Sequence, residues 1–177
     1  MGNLLAFAGS NSSTSINFQL VKHTVSLIEG TETQLLNMAN YPFPMYSMDY
    51  EKEKGFSNSL IELKNDIVQA KGLIISVNEH NGGLSAYFKN LLDWLSRLDI
   101  KFLQDQKVFL MATSPGKRGG LTALEFAAQL LPRFGANVVA TYSLPSFGHS
   151  FTAAQGITDT EQAVKHKEAL AQFMAQI

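Results

Sequence analysis

Cysteine is absent from this 177-residue chain. That excludes disulfides, thiolate nucleophiles and cysteine-based metal centres. The four histidines, His23, His80, His149 and His166, lack the H-x-x-x-H spacing of a metal site, so no metal ligand set is expected. Charge is sparse and balanced, with 14 basic and 15 acidic residues, a net charge of −1 and no basic block. Nucleic acid and anionic membrane are therefore poor partners. No apolar run reaches membrane-spanning length. The first residues lack a basic stretch and a cleavage site, so a cytoplasmic location is expected, and the Asn11-Ser12-Ser13 sequon reads as chance. Three familiar signatures are also missing. Without G-x-x-x-x-G-K-[ST] no lysine is positioned for a nucleoside triphosphate. Without G-x-G-x-x-G the backbone has no obvious close approach to a bridging pyrophosphate, and without G-x-S-x-G there is no hydrolase serine.

What is present begins at residue 4. The apolar run Leu4–Ala8 stops at Gly9, a hydroxyl-rich stretch follows, and a helix pattern starts near Ser15. A strand turning through glycine into a helix N-terminus leaves unpaired N–H groups aimed at one point. Ser10, Ser12, Ser13, Thr14 and Ser15 add hydroxyl donors, a set suited to the outward oxygens of a terminal monophosphate. The alternative is an ordinary turn in which Thr14 or Ser15 caps the helix.

Apolar residues make up 45% and charged residues 16% of the chain, a globular composition that fits one domain over 1–177. Strand-like runs fall at Leu4–Ala8, Thr33–Leu36, Gly72–Val77, Lys107–Ala112 and Asn137–Tyr142. Helical patterns alternate with them at Ser15–Glu29, Ser57–Gln69, Leu84–Leu98, Arg118–Arg133 and Asp159–Gln176. Phe18, Val21, Val25 and Ile28 form an apolar stripe in the first helix, and Leu84, Phe88, Leu91, Leu92 and Leu95 form another in the third. Such alternation predicts an α/β fold, a doubly wound five-stranded parallel sheet of flavodoxin-like order 2-1-3-4-5. The long connection Met38–Gly55, with Tyr41-Pro42-Phe43-Pro44-Met45-Tyr46, reads as a pocket wall or subunit contact, or as packing over the sheet edge.

Ligands of doubly wound sheets bind at the carboxyl ends of the strands, near the switch in strand order. Three loops converge there: Gly9–Asn17, Asn78–Gly83 and Thr113–Gly120. Their motifs resemble those of the NADPH-dependent FMN reductase family, which includes chromate, quinone and azo-dye reductases. Gly9, Ser10, Ser15 and Asn17 match its G-S-x-R-x-x-S-x-N. Glu79, Asn81 and Gly82, then Lys89, Asn90, Asp93 and Trp94, match P-E-Y-N-G-S and L-K-N-x-x-D-W. Ser114, Pro115, Gly116, Arg118, Gly119 and Gly120 match S-P-G-x-R-G-G. Order and spacing agree over nearly the whole chain. Ser12 stands where the family has arginine, and Asn78 and His80 stand where it has proline and tyrosine. Loss of the arginine removes a phosphate-pairing cation and predicts weaker FMN retention.

The resemblance implies that Gly9, Ser10, Ser12, Ser15, Ile16 and Asn17 surround the FMN phosphate. It places Asn78, Glu79, His80, Asn81 and Gly82 along the isoalloxazine edge, and Ser114 and Gly116 against the ring. Hydride would pass from the nicotinamide of NADPH or NADH to flavin and onward to a small acceptor. The cofactor carries that chemistry, so no catalytic side chain is expected. Lys117 and Arg118 are candidates for an NADPH 2′-phosphate, or are solvated loop residues. His23 and His166 read as helix-surface residues, His149 as loop packing, and Asp93 and Trp94 as packing or subunit contact. A homodimer or homotetramer is implied. The rival readings are a flavodoxin-type electron carrier, disfavoured by the near-neutral charge, and a non-redox phospholigand-binding protein on the same fold.

Overall fold

A computed structural model describes residues 3–177. Its centre is a parallel sheet of β1 (Leu4–Ala8), β2 (Thr33–Leu36), β3 (Gly72–Val77), β4 (Lys107–Thr113) and β5 (Asn137–Leu144), in the order β2-β1-β3-β4-β5. This is the flavodoxin-like order 2-1-3-4-5. Leu4 is aligned with Thr33 on one side and Gly72 on the other. β1 and β3 are buried at every position. Central parallel strands are covered on both faces, which is why they read as unbroken apolar runs.

The period-2 alternation of strands divides the core. Leu5, Phe7, Ile75 and Leu110 face one layer, made by α3 (Asn58–Gln69), α4 (Ala86–Leu98) and α5 (Leu121–Leu130). Leu4, Ala6, Phe109 and Met111 face the other, made by α1 (Ile16–Ser26) and α6 (Thr160–Met174). A short helix, α2 (Met48–Lys54), lies inside the long Met38–Gly55 connection, where no helix was expected. Side-chain caps start the helices: Ser15, Ser47, Ser57, Ser85 and Asp159 each accept a bond from the backbone N–H three residues on.

Several boundaries differ from expectation. α1 closes at Ser26 rather than Glu29. α4 opens at Ala86 because Ser85 caps it and Gly83–Leu84 belong to a hairpin. α5 is shorter than Arg118–Arg133, since Gly120 adopts a left-handed φ before it and a 3-10 turn at Leu131–Phe134 follows it. The α1 stripe is also rotated. Asn17, Leu20, Val21 and Thr24 are buried, whereas Phe18, Val25 and Ile28 are half-buried. Two polar residues thus occupy the inward face.

His166 corrects a second expectation. It is fully buried rather than on the surface, with Nε2 2.9 Å from Thr24 Oγ1 and Nδ1 without a partner among the described residues. Burial first, then the charges of His23 and Lys167, lower its pKa to about 4. His23 is half-buried beside it, their ring centroids 5.7 Å apart.

Candidate active site

The three expected loops meet at the carboxyl ends of β1, β3 and β4. In the first, Gly9 is required by space: a Cβ there would lie 2.5 Å from the Phe88 ring. The carbonyl of Gly9 accepts from Ser85 Oγ at 3.0 Å, and its N–H donates to Ser76 O at 2.8 Å. Ser10 Oγ accepts from Ser12 N at 3.3 Å, and Ser12 Oγ accepts from Thr14 N at 3.3 Å. Ser15 is the helix cap, accepting from Phe18 N at 3.2 Å, as the ordinary-turn reading required. Its hydroxyl proton remains available. The N–H groups of Ile16 and Asn17, at the positive end of the α1 dipole, have no partner among the described residues.

The Asn17 side chain lies beneath this loop and is almost completely buried. Its Oδ1 accepts from Ser76 Oγ at 2.8 Å and from Thr113 N at 2.9 Å. Its Nδ2 donates to Thr113 O at 3.1 Å. One amide thus ties α1 to the ends of β3 and β4, and its side chain is spent on framework.

The second loop is a two-residue turn between Glu79–His80 and Gly83–Leu84, which pair antiparallel. Asn81 and Gly82 have φ of 52° and 76°. Positive φ at both turn centres is the mirror-type hairpin turn that favours Asn-Gly. Glu79 accepts from Ala123 N at 3.1 Å. The carboxylate caps α5, whose Gly120 offers no side chain for that role. Asn78 Nδ2 lies 3.2 Å from His80 Nε2, while Asn78 Oδ1 is buried without a partner among the described residues.

In the third loop the carbonyls of Ser114 and Gly116 accept from Phe147 N at 3.0 Å and Ser146 N at 2.9 Å. Gly119, at φ 60°, packs so closely that a Cβ would lie 2.8 Å from the Leu144 carbonyl. A Cβ on Gly116 would meet Ser114 Oγ at 3.7 Å, an ordinary contact. Lys117, Arg118 and His149 are exposed.

A cavity of about 360 Å3 opens between the first two loops. Ser10, Ser12, Asn78 and His80 line it, and the Met38–Gly55 connection contributes Phe43 and Met45. Of the thirteen expected contact residues, these four share the cavity. Ser15 lines a neighbouring cavity on the far side of the loop. Glu79 and Asn17 act around the cavity as framework, and the third loop lies outside its lining.

Four residues of α4 fasten the connection in place. Asn90 Oδ1 accepts from Tyr46 N at 2.7 Å, and Asn90 Nδ2 donates to Pro44 O at 2.9 Å. Trp94 Nε1 donates to the same carbonyl at 2.8 Å. Tyr87 OH donates to Tyr41 O at 2.9 Å, and burial holds its hydroxyl pKa well above the ordinary phenol value. Arg97 closes the far end on Glu51 at 3.0 Å, and its guanidinium, together with the Tyr46 hydroxyl, holds the Glu51 carboxyl below the usual range. Trp94 is thus a packing residue, and three aromatic rings meet it edge-on. The roles of Ser76, Ser85 and Thr113 carried no sequence signal, because each depends on which strand end it faces.

The fold and the hydroxyl-lined cleft at its strand ends define a flavodoxin-like ligand-binding protein. The chain belongs to the NADPH-dependent FMN reductase family, whose pattern matches residues 3–149, and it is a flavin-dependent oxidoreductase that draws on NAD(P)H. It is 27% identical over 161 residues to an uncharacterized protein of Mycoplasma pneumoniae, covering 88% of this chain and 94% of that one. It is 34% identical over 88 residues to a quinone reductase of Escherichia coli K12, a match spanning 50% of this chain and 47% of the relative. In structure it resembles the flavoenzyme NAD(P)H:(acceptor) oxidoreductase FerB of Paracoccus denitrificans. The TM-score is 0.80 at 22% identity, with 99% and 97% of the two chains covered.

Proposed function

We propose that Gly9–Asn17 holds the phosphate of FMN, that Asn78–Gly82 borders its ring, and that Ser114 and Gly116 approach from the third loop. The unpaired N–H groups of Ile16 and Asn17 and the hydroxyls of Ser10 and Ser12 suit a phosphate. The observation that carries the reading is the buried, unpartnered oxygen of Asn78, a residue lining the same cavity. An orphaned buried acceptor calls for a donor, and the pyrimidine edge of an isoalloxazine carries one N–H. When bound, FMN supplies two-electron transfer from NAD(P)H. The chain's own residues bind, orient and leave one side open to a second planar molecule.

The acceptor in this reading is a small planar molecule: a quinone first, with azo dyes and free flavin of the same chemistry, and chromate as an inorganic alternative. The quinone reductase match and the apolar side chains of Phe43 and Met45 support that order. The chain is further proposed to act as a single domain over 1–177, to form a homodimer or homotetramer, and to work in the cytoplasm. Steady-state assay of the FMN-loaded protein with NADPH and 1,4-benzoquinone tests the activity. Saturable NADPH oxidation that depends on the quinone is expected. Retained flavin with no NADPH oxidation would instead mark an electron carrier.

A further inference from the structure

Met45 is 70% exposed, yet the backbone on both sides of it is fastened. Pro44 O receives bonds from the Asn90 amide at 2.9 Å and the Trp94 indole at 2.8 Å. Tyr46 N donates to Asn90 Oδ1 at 2.7 Å. Asn90 is 5% exposed and Trp94 3%, so these bonds are shielded from competing water. The clamps hold an unbranched thioether at the wall of the cavity that Ser12, Asn78 and His80 also line. A fixed backbone with a flexible, polarizable side chain meets aromatic rings of varied outline without demanding one shape.

We infer that Met45 is the residue that contacts a planar aromatic acceptor, and that Asn90 and Trp94 are positioning residues that hold it at the cleft. This rests on the flavin reading above. It also gives the Asn90…Trp94 pair of the α4 motif a role apart from the cofactor. The acceptor class is a quinone-like ring, since a compact inorganic oxidant gains nothing from a thioether face.

The test compares FMN-loaded wild type with Met45→Ala, Met45→Leu, Asn90→Ala and, as control, Lys89→Ala. Lys89 lies on the same helix and pairs only with Asp93. Each is assayed for FMN affinity and for KM and kcat with NADPH, 1,4-benzoquinone and ferricyanide. Met45→Ala is expected to raise the quinone KM about three- to ten-fold. Its ferricyanide rate, measured with FMN saturating each variant and so independent of any change in FMN affinity, stays within about two-fold of wild type. Met45→Leu recovers most of the quinone KM, Asn90→Ala raises it as Met45→Ala does, and Lys89→Ala leaves it unchanged. An unchanged quinone KM in Met45→Ala overturns the inference alone. So does an equal loss with quinone and ferricyanide, or a rise confined to NADPH. Wild type that neither binds FMN nor oxidises NADPH overturns the flavin reading, and this inference with it.

Discussion

Removing the Asn17 amide would leave the Ser76 hydroxyl and the Thr113 N–H without their acceptor, in places that are at most 1% exposed. Unsatisfied buried donors are expensive, so Asn17→Ala is expected to destabilise the protein by about 2–4 kcal/mol. Urea unfolding of the flavin-free protein measures this, and a change below about 0.5 kcal/mol would show that the three hydrogen bonds of the amide carry little. Ser12 poses the opposite case. It is exposed in the first loop and offers only a hydroxyl. Ser12→Arg places a cation beside a phosphate dianion and is expected to tighten FMN binding about ten-fold. Equal or weaker affinity by fluorescence titration would mean that the phosphate is held elsewhere. Sequence could nominate both positions but could not separate their roles. The Asn17 side chain is framework while its N–H stays free, and that division depends on strand ends 59 and 96 residues away.

The elements were legible where one physical signal dominated. The central strands sit where continuous apolar runs predicted them, extended at β4 to Thr113 and at β5 to Leu144. Helix starts were legible at Ser15, Ser57 and Asp159, where a capping side chain decides them, and the ends at Gln69 and Leu98 also fall where expected. The glycines of the third loop illustrate what spacing alone conceals. Gly119 and Gly116 belong to one motif, yet only Gly119 has a left-handed φ and a carbonyl in the way. Gly119→Ala is expected to cost about 2 kcal/mol or more. Gly116→Ala should leave the urea midpoint unchanged and raise the Kd for FMN, because its Cβ would meet Ser114 Oγ at an ordinary 3.7 Å and crowd a ligand instead. A Gly116→Ala protein with unaltered FMN affinity would remove the third loop from the site. The Met38–Gly55 connection reads from sequence as a pocket wall or subunit contact, or as packing over the sheet edge, and the structure gives it a place in the cavity wall. Phe43 and Met45 line the cavity while Tyr41, Phe43 and Tyr46 pack on the core. Its helix, α2, buries no residue, so no apolar stripe announced it.

At the scale of the whole molecule, pH links stability to the misread histidine. His166 sits at the i position of a buried i, i+4, i+7 row with Leu170 and Phe173, a spacing that could have placed it inside. Its folded pKa of about 4 lies below the unfolded value of 6.5. Between those values the unfolded chain takes up a proton that the folded one refuses, so stability falls as pH drops through that window. The loss reaches about 3 kcal/mol near pH 4 and is absent above pH 7. His23, also lowered by burial and by Lys167, acts in the same direction. His166→Leu should flatten this part of the stability–pH curve, and an unchanged slope between pH 7.5 and 5 would contradict the assignment. The central claim is more directly reached by adding FMN to the purified protein, confirming saturation by titration, and then adding NADPH without oxygen while recording the visible spectrum. Saturable binding followed by bleaching of the flavin bands is the predicted result. A spectrum that shows no saturable binding, or bound flavin that NADPH leaves coloured, would contradict it.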